Sequence, residues 1–95
     1  LIKRGGRDLE AYHFNRSRAW GAKRECDLAL ADAEKALSLK RDEANFAQLG
    51  VLLFECKDDP DQAIAIYSEG IKALPKAAVL YHNRAVGFVS KADFE

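Results

Sequence analysis

The chain has 95 residues, of which 48% are apolar and 32% are charged, and its 15 basic and 15 acidic side chains cancel. This is the composition of a folded domain, and the balanced charge excludes an overall field that would recruit nucleic acid or an anionic membrane. The longest apolar run is far too short to cross a bilayer, so we expect no membrane insertion and a cytoplasmic location. The charges are unevenly spread: residues 1–25 carry seven Lys/Arg against three Asp/Glu, and residues 26–95 carry eight against twelve.

Apolar residues recur at three- and four-residue steps along the whole chain, which predicts an all-α fold without strands. The predicted helices cover residues 9–22, 26–39, 43–56, 60–74 and 76–90. Asp8 is expected to cap the first helix, and Asp59, Pro60 and Pro75 are expected to start and stop the fourth. The pair Gly5-Gly6 indicates the end of a preceding helix. We therefore expect a window from a longer array, which begins inside the last turns of an earlier unit.

The pattern matches itself at an interval of thirty-four residues. In the second and fourth helices, Ala29 pairs with Ala63, Leu30 with Ile64, Ala33 with Tyr67, Ala36 with Gly70 and Leu37 with Ile71. Trp20, Phe54 and Phe88 are equally spaced, and Asn15-Arg16 returns two intervals later as Asn83-Arg84. A self-match of this length is typical of a helical repeat array, whose units stack because one unit cannot bury its own apolar face.

This pattern resembles the tetratricopeptide repeat, a helix-turn-helix unit of about thirty-four residues. The second unit carries the matching residues Phe46, Leu49-Gly50, Leu53, Ala63, Tyr67, Gly70 and Pro75, and the third begins with Tyr81, Ala85 and Phe88. His13, Ala33 and Arg41 depart from the motif. The middle helix fits only if one residue is dropped before it and one is added within residues 56–59.

The resemblance implies a right-handed α-α superhelix of about two and a half repeats. Residues 1–6 would be the tail of a preceding repeat, 8–41 the first repeat, 42–75 the second, and 76–95 the first helix of a third. The residues expected to be buried between stacked units are Trp20, Leu53 or Phe54, Tyr67 and Phe88.

No arrangement of side chains predicts catalysis, a metal site or a cofactor. The two histidines, His13 and His82, have no spacing partner, and His13 is expected to be a packed or partly exposed structural residue. Asp58, Asp59 and Asp61 are explained by the favourable position of acidic groups at a helix N-terminus. The sequence therefore favours a non-enzymatic protein.

The two cysteines, Cys26 and Cys56, lie thirty residues apart and show no metal-ligand spacing. Both fall near predicted helix ends in apolar surroundings, where a free thiol behaves as a small apolar residue. We expect free thiols here, in preference to a disulfide or a zinc site.

The resemblance also implies a binding surface, because in this family the first helices line the concave side of the superhelix, where extended peptides often lie. The face of each first helix that does not carry the packing motif supplies the candidates. They are Phe14, Asn15 and Arg18 in the first unit, Gln48, Val51 and Phe54 in the second, and His82, Asn83, Val86 and Val89 in the third. The amides can hold a peptide backbone by hydrogen bonds, while the apolar residues take its side chains.

A second interpretation of the same residues stays open. The Asn-Arg pairs can tie helices together or face solvent, and the apolar members can pack against neighbouring repeats. One family role is disfavoured: some co-chaperones clamp a C-terminal carboxylate with Lys, Asn and Arg, but the matching places here are Phe14, Arg18, Gln48, Val79 and Asn83. The half-apolar surface therefore favours partners that are less charged than an acidic chaperone tail.

The leading prediction is a protein-binding scaffold, and the alternative is a regulatory or substrate-recruiting segment of a larger enzyme or co-chaperone complex. RNA binding by the basic residues near Trp20 is a third interpretation, less favoured than a solvated basic face. These residues are Arg16, Arg18, Lys23 and Arg24. Uncovered apolar surface at both ends of the array also predicts self-association.

Overall fold

The structure, a computed structural model, describes residues 5–94 of the chain and the side chains of residues 9–92. It contains five helices: α1 (Gly5–Ala22), α2 (Cys26–Leu39), α3 (Glu43–Glu55), α4 (Pro60–Ala73) and α5 (Ala78–Phe94). No strand occurs in this part of the chain, which confirms the predicted all-α class. The connecting turns have three or four residues, so consecutive helices pack as antiparallel neighbours.

Carboxylates and prolines set the ends of α3 and α4. Asp42 precedes α3 and Asp59 precedes α4, and each accepts a hydrogen bond from the backbone N–H three residues further on, at 3.0 and 3.1 Å. Pro60 occupies the first turn of α4, where a missing N–H leaves no hydrogen bond unmade. The helix stops shortly before Pro75, because the residue before a proline is disfavoured in the helical conformation. The predicted start and stop of this helix are confirmed.

The outer ends of α1 and α5 differ from the expectation. Gly5 begins α1, so the Gly5-Gly6 pair does not end a preceding helix, and Asp8 lies inside α1 rather than at its cap. A glycine weakens a helix by only about 1 kcal/mol, which the rest of a long helix can offset. α5 continues to Phe94, past the expected end at residue 90, since no Gly or Pro follows to stop it. Of residues 1–6, which were expected to be the tail of a preceding repeat, residues 1–4 fall outside the described residues.

The helix bounds repeat at the interval found in the sequence. From α2 to α4 both ends shift by thirty-four residues. The turn before α3 has three residues, whereas the turn before α5 has four. The turn after α3 has four residues, whereas the turn after α1 has three. This confirms the expected one-residue deletion before the middle helix and the one-residue insertion after it. The pairs α1–α2 and α3–α4 are called the first and second hairpins below.

Small residues allow the helices to approach closely around a shared core. The buried positions of α2 and α4 correspond, with Ala29, Ala33 and Ala36 in one and Ala63, Tyr67 and Gly70 in the other. A methyl group on Gly50 would overlap the ring of Tyr67, and one on Gly70 would lie 2.7 Å from Leu80 and 2.8 Å from Phe46. Both of those neighbours are fully buried. The apolar core therefore runs unbroken from α2 to α5.

The helices α1, α3 and α5 form an inner row with α3 at its centre. α3 contacts α1 on one side and α5 on the other. Within residues 5–94, α2 and α4 do not contact each other, and neither do α1 and α5. The helices therefore advance from hairpin to hairpin instead of closing into a bundle, and the molecule measures 51 × 31 × 14 Å. The other two helices, α2 and α4, form the outer row.

Cys26 and Cys56 form a disulfide that joins the start of α2 to the end of α3, with the Cα atoms 5.7 Å apart. The expectation of two free thiols is therefore wrong. The physical reason is that α2 and α3 are antiparallel and joined by only three residues, which brings the start of one beside the end of the other. The residues that follow the two cysteines, Asp27 and Lys57, form an ion pair, with Lys57 Nζ 2.5 Å from Asp27 Oδ1. The two hairpins are thus held by a covalent bond and an ion pair.

A buried carboxylate holds the first hairpin together. Asp32 on α2 is 5% exposed and accepts hydrogen bonds from Nδ1 of His13 (2.8 Å) and from Nε of Arg16 (2.7 Å), both on α1. The hydrogen bond from the Arg16 guanidinium, assisted by that from His13, holds the pKa of Asp32 below its usual value. Arg16 also donates to the hydroxyl of Tyr12 at 2.6 Å. His13 is a packed structural residue, as expected.

The expected seams between units are only partly buried. Tyr67 is buried, and Trp20, Leu53 and Phe54 pack half-buried against the core. Phe88 is 54% exposed, so the expectation for this residue is wrong. α5 contacts only α3 and α4 among the described helices, and nothing in residues 5–94 covers its far side. Self-association through this surface stays a prediction.

Candidate functional site

Two adjoining clefts run along the inner row, one on either side of α3. The first, of about 270 Å³, is lined by Arg18, Gly21, Ala22, Arg24, Gln48, Val51, Leu52, Glu55 and Cys56. The second, of about 240 Å³, is lined by Val51, Phe54, Glu55, Tyr67, His82, Asn83 and Val86. Val51 and Glu55 belong to both clefts. They therefore form one continuous surface across α1, α3 and α5, which we call the inner groove.

The helical period of α3 places its groove residues on one face. Gln48, Val51 and Glu55 follow one another at three- and four-residue steps, which project from the same side of a helix. Phe46 and Leu49, in the same helix, are buried in the core instead. α3 thus contributes both the packing surface of the second hairpin and the centre of the groove.

The second cleft is mainly apolar and has a buried tyrosine in its lining. Val51, Phe54 and Val86 line it, and Tyr67 reaches it from α4 with only 3% of its surface exposed. Burial raises the pKa of Tyr67 to about 12, and the negative charge of Glu55 adds to this effect, whereas a hydrogen bond from Asn83 opposes it. The phenol therefore stays protonated at neutral pH, as an uncharged hydrogen-bonding group within an apolar surface.

The first cleft combines apolar with charged side chains, and its two arginines outnumber its single carboxylate. Arg18 and Arg24 line it, and neither forms an ion pair within the described part of the chain. The guanidinium of Arg18 lies over the ring of Phe14, 6.0 Å from its centroid. Glu55 stands at the boundary between the clefts and likewise has no ion pair among the described residues. The groove therefore changes from cationic to apolar across α3, with one carboxylate between the two parts.

The structure brings most of the predicted site residues together. Those that line the inner groove are Arg18, Gln48, Val51, Phe54, His82, Asn83 and Val86. Phe14 and Asn15 line neither cleft, although Phe14 supports Arg18. Val89 also lies outside both clefts and is 61% exposed. The expected row of three amides is therefore incomplete, because Asn15 is not part of the groove.

The arginines of the repeated Asn-Arg pairs connect helices. Arg16 reaches Asp32 on α2, and Arg84 donates from Nη1 to the hydroxyl of Ser68 on α4 at 3.2 Å. Each guanidinium also lies over a tyrosine ring of its own helix, at 4.9 Å for Arg16 and 5.7 Å for Arg84. The interpretation that these arginines tie helices together is confirmed. One of the positive charges in residues 1–25, that of Arg16, is therefore engaged in an ion pair within the fold.

Seven groove residues were not among the candidates for the peptide-binding surface: Gly21, Ala22, Arg24, Leu52, Glu55, Cys56 and Tyr67. Glu55 could have been found, because it lies four residues after Val51 on the same helical face. Tyr67 was assigned to the core, and the structure places it in the core and in the groove lining at once. Arg24 follows α1 in the turn, where helical periodicity gives no signal.

The described residues contain no group of three His, Cys, Asp or Glu side chains that could hold a metal ion. No helix in the same part of the chain is long and apolar enough to cross a membrane. Comparison with protein-family models, with curated proteins and with solved structures finds no match.

Proposed function

We propose that this chain is a tetratricopeptide-type segment with a right-handed superhelical course, and that it binds an extended segment of a partner protein in the inner groove. The observation that carries the proposal is the continuity of the groove across three helices. Seven residues chosen from the unpacked face of the first helices line this one surface. A surface that crosses successive helices suits a ligand that is long and extended.

The lining supports a polypeptide as the ligand. Gln48 offers a donor and an acceptor to a peptide backbone, and Asn83 offers its carbonyl oxygen and the amide proton that does not bond to Tyr67. Val51, Phe54 and Val86 offer apolar contact between them. Peptide sites generally combine backbone hydrogen bonds for affinity with side-chain pockets for specificity. In this proposal the chain is a non-enzymatic scaffold.

Two valines on α5 give a matched test. Val86 lines the second cleft and is 44% exposed, whereas Val89 lies outside both clefts and is 61% exposed. A charge at position 86 would face the apolar cleft, so Val86→Asp should abolish partner capture, while Val89→Asp should retain it. Both variants should keep the wild-type circular dichroism spectrum, because neither valine is buried.

A photo-crosslinking amino acid identifies the surface that the partner touches. Placed at position 86, it should trap the partner, and placed at the exposed Lys35 on the outer helix α2, it should not. Equal crosslinking from both positions, or equal loss of capture in Val86→Asp and Val89→Asp, would overturn the proposal.

A further inference from the structure

We propose that the inner groove selects peptide segments in which an acidic side chain lies about three residues from a large apolar side chain. The acidic group would occupy the first cleft and the apolar group the second. This inference rests on the proposed function, and it adds the chemical class of the ligand and the order of its side chains.

The first cleft provides the positive charge for the acidic side chain. Arg18 and Arg24 line it from the end of α1 and the following turn, and neither forms an ion pair among the described residues, so the cleft stays net positive with Glu55 in the same lining. Gln48 lies in the same cleft and can donate a hydrogen bond from its amide. A guanidinium holds a carboxylate in a planar, two-point arrangement, which makes this cleft suited to Asp or Glu.

The second cleft provides the apolar contact. Val51, Phe54 and Val86 surround it, and the buried ring of Tyr67 closes it towards α4. Its volume of about 240 Å³ is sufficient for one large aliphatic or aromatic side chain. A charged side chain here would lose water without gaining an opposite charge, apart from a cation that reaches Glu55.

Glu55 lies between the two subsites and disfavours a negative charge between the two anchors. Because it lines both clefts, a ligand carboxylate in the middle of the groove would meet its negative charge. A uniformly acidic segment is therefore excluded, and the residue between the two anchors should be neutral or basic. RNA is disfavoured for the same reason, since its phosphates recur at every nucleotide and one of them would lie against this carboxylate.

The spacing follows from helix packing. Neighbouring helices lie about 8–10 Å apart, and the two clefts are separated by one helix, α3. A segment in the polyproline II conformation advances by about 3.1 Å per residue and has three residues per turn, so three residues span that distance and every third side chain projects from the same side. The acidic and apolar anchors should therefore be three positions apart.

A random ten-residue peptide library displayed on phage tests the inference without a known partner. Selection on the whole immobilised chain should enrich peptides with Asp or Glu three positions from Leu, Ile, Val or Phe. In the Arg18→Glu/Arg24→Glu variant, Lys or Arg should replace the acidic position, while the apolar position persists. The control variant Lys35→Glu, on the exposed face of α2, should select the wild-type pattern.

Synthetic peptides then give the magnitude. Replacing the acidic residue by Lys should weaken binding to the wild-type chain by about fivefold or more, and the same peptide should bind the double Arg variant more tightly than the acidic one does.

The outcomes separate the two proposals. Groove-dependent peptides without the acidic–apolar spacing would overturn this inference and leave the proposed function intact. Failure to enrich any peptide that Val86→Asp abolishes would overturn both. A pattern that is unchanged by reversal of the two arginine charges would also overturn the inference, since those charges would then play no part in selection.

Discussion

Arg24 and Asp58 lie thirty-four residues apart, and both adopt a positive φ, 63° and 52° respectively. Each stands in the turn between the two helices of its hairpin. The left-handed conformation is unfavourable for residues with a side chain, although Asp tolerates it better than Arg because its short polar group can bond to the local backbone. The repeat is therefore present in backbone geometry as well as in helix bounds, even though the two residues are chemically unlike.

This relationship predicts that Arg24→Gly stabilises the chain by up to about 1 kcal/mol. Glycine removes the cost of the left-handed conformation, which is about 1–2 kcal/mol for a residue with a side chain. Part of this gain is lost because glycine also increases the conformational entropy of the unfolded chain. The neighbouring Lys23→Gly is the control: it should destabilise by about 0.5–1 kcal/mol, because Lys23 has no positive φ to relieve. Urea unfolding of both variants is the measurement, and changes of the same sign would contradict the prediction.

Gly50→Ala should destabilise the second hairpin by about 1–3 kcal/mol, because a methyl group would overlap the buried and rigid ring of Tyr67. Gly21→Ala offers the comparison. Its methyl group would lie 3.1 Å from Cδ2 of Leu52, the end of a flexible side chain that can move, while the helix gains a better helix former. The melting temperature of Gly50→Ala should lie well below that of Gly21→Ala. Equal melting temperatures would show that the ring of Tyr67 can shift.

Asp32→Asn should lower the free energy of unfolding at neutral pH by about 1–2 kcal/mol, because three charge-assisted hydrogen bonds in a buried position are weakened or lost. Asp27→Asn, which disrupts a solvent-exposed ion pair with Lys57, should have little effect.

The hydrogen bonds of Asp32 also predict how the stability of the chain depends on acid. The pKa of Asp32 is lowered in the folded state, so its contribution is present above the unfolded pKa and is lost as the pH falls through the folded value. The difference in stability between the wild-type chain and Asp32→Asn should therefore narrow between about pH 5 and pH 2. A constant difference over this range would mean that Asp32 is not stabilised as a carboxylate.

Reduction of the Cys26–Cys56 disulfide should destabilise the chain by about 3–4 kcal/mol, since the bond closes a loop of about thirty residues in the unfolded state. The melting temperature of the wild-type chain should fall in the presence of a thiol-free reductant, whereas that of Cys26→Ser/Cys56→Ser should not. Mass spectrometry after alkylation should find no free thiol before reduction, and a labelled cysteine at that stage would contradict the assignment. The cytoplasmic location expected from the sequence stays a prediction.

The sequence predicted those features that repeat or that depend on neighbouring residues. The period of thirty-four, the cap at Asp59 and the stop before Pro75 all follow from local chemistry, and the structure contains them. The one-residue changes on either side of α3 were also visible, because a shift of register moves an apolar stripe. Most of the groove residues could be selected as the helix face left over after packing.

The features missed depend on distant neighbours. Cys26 and Cys56 meet only because two helices fold back on each other, which spacing along the chain does not reveal without the length of the intervening turn. Phe88 has the spacing of a buried aromatic, but burial also needs a helix on the far side of α5. Asn15 repeats the position of Asn83 in sequence, yet the second cleft forms between α3 and α5 and does not extend to α1.

The disulfide also divides the inner groove into two mechanically different halves. It ties α2 to α3, and Cys56 lines the first cleft, so the α1–α2 hairpin that forms one wall of that cleft is covalently linked to the other wall through α2. The second cleft, between α3 and α5, is bounded by non-covalent packing within the described residues. A partner would thus bind its acidic side chain in a cleft whose walls are covalently linked. Its apolar side chain would bind in a cleft whose walls are held together by packing alone.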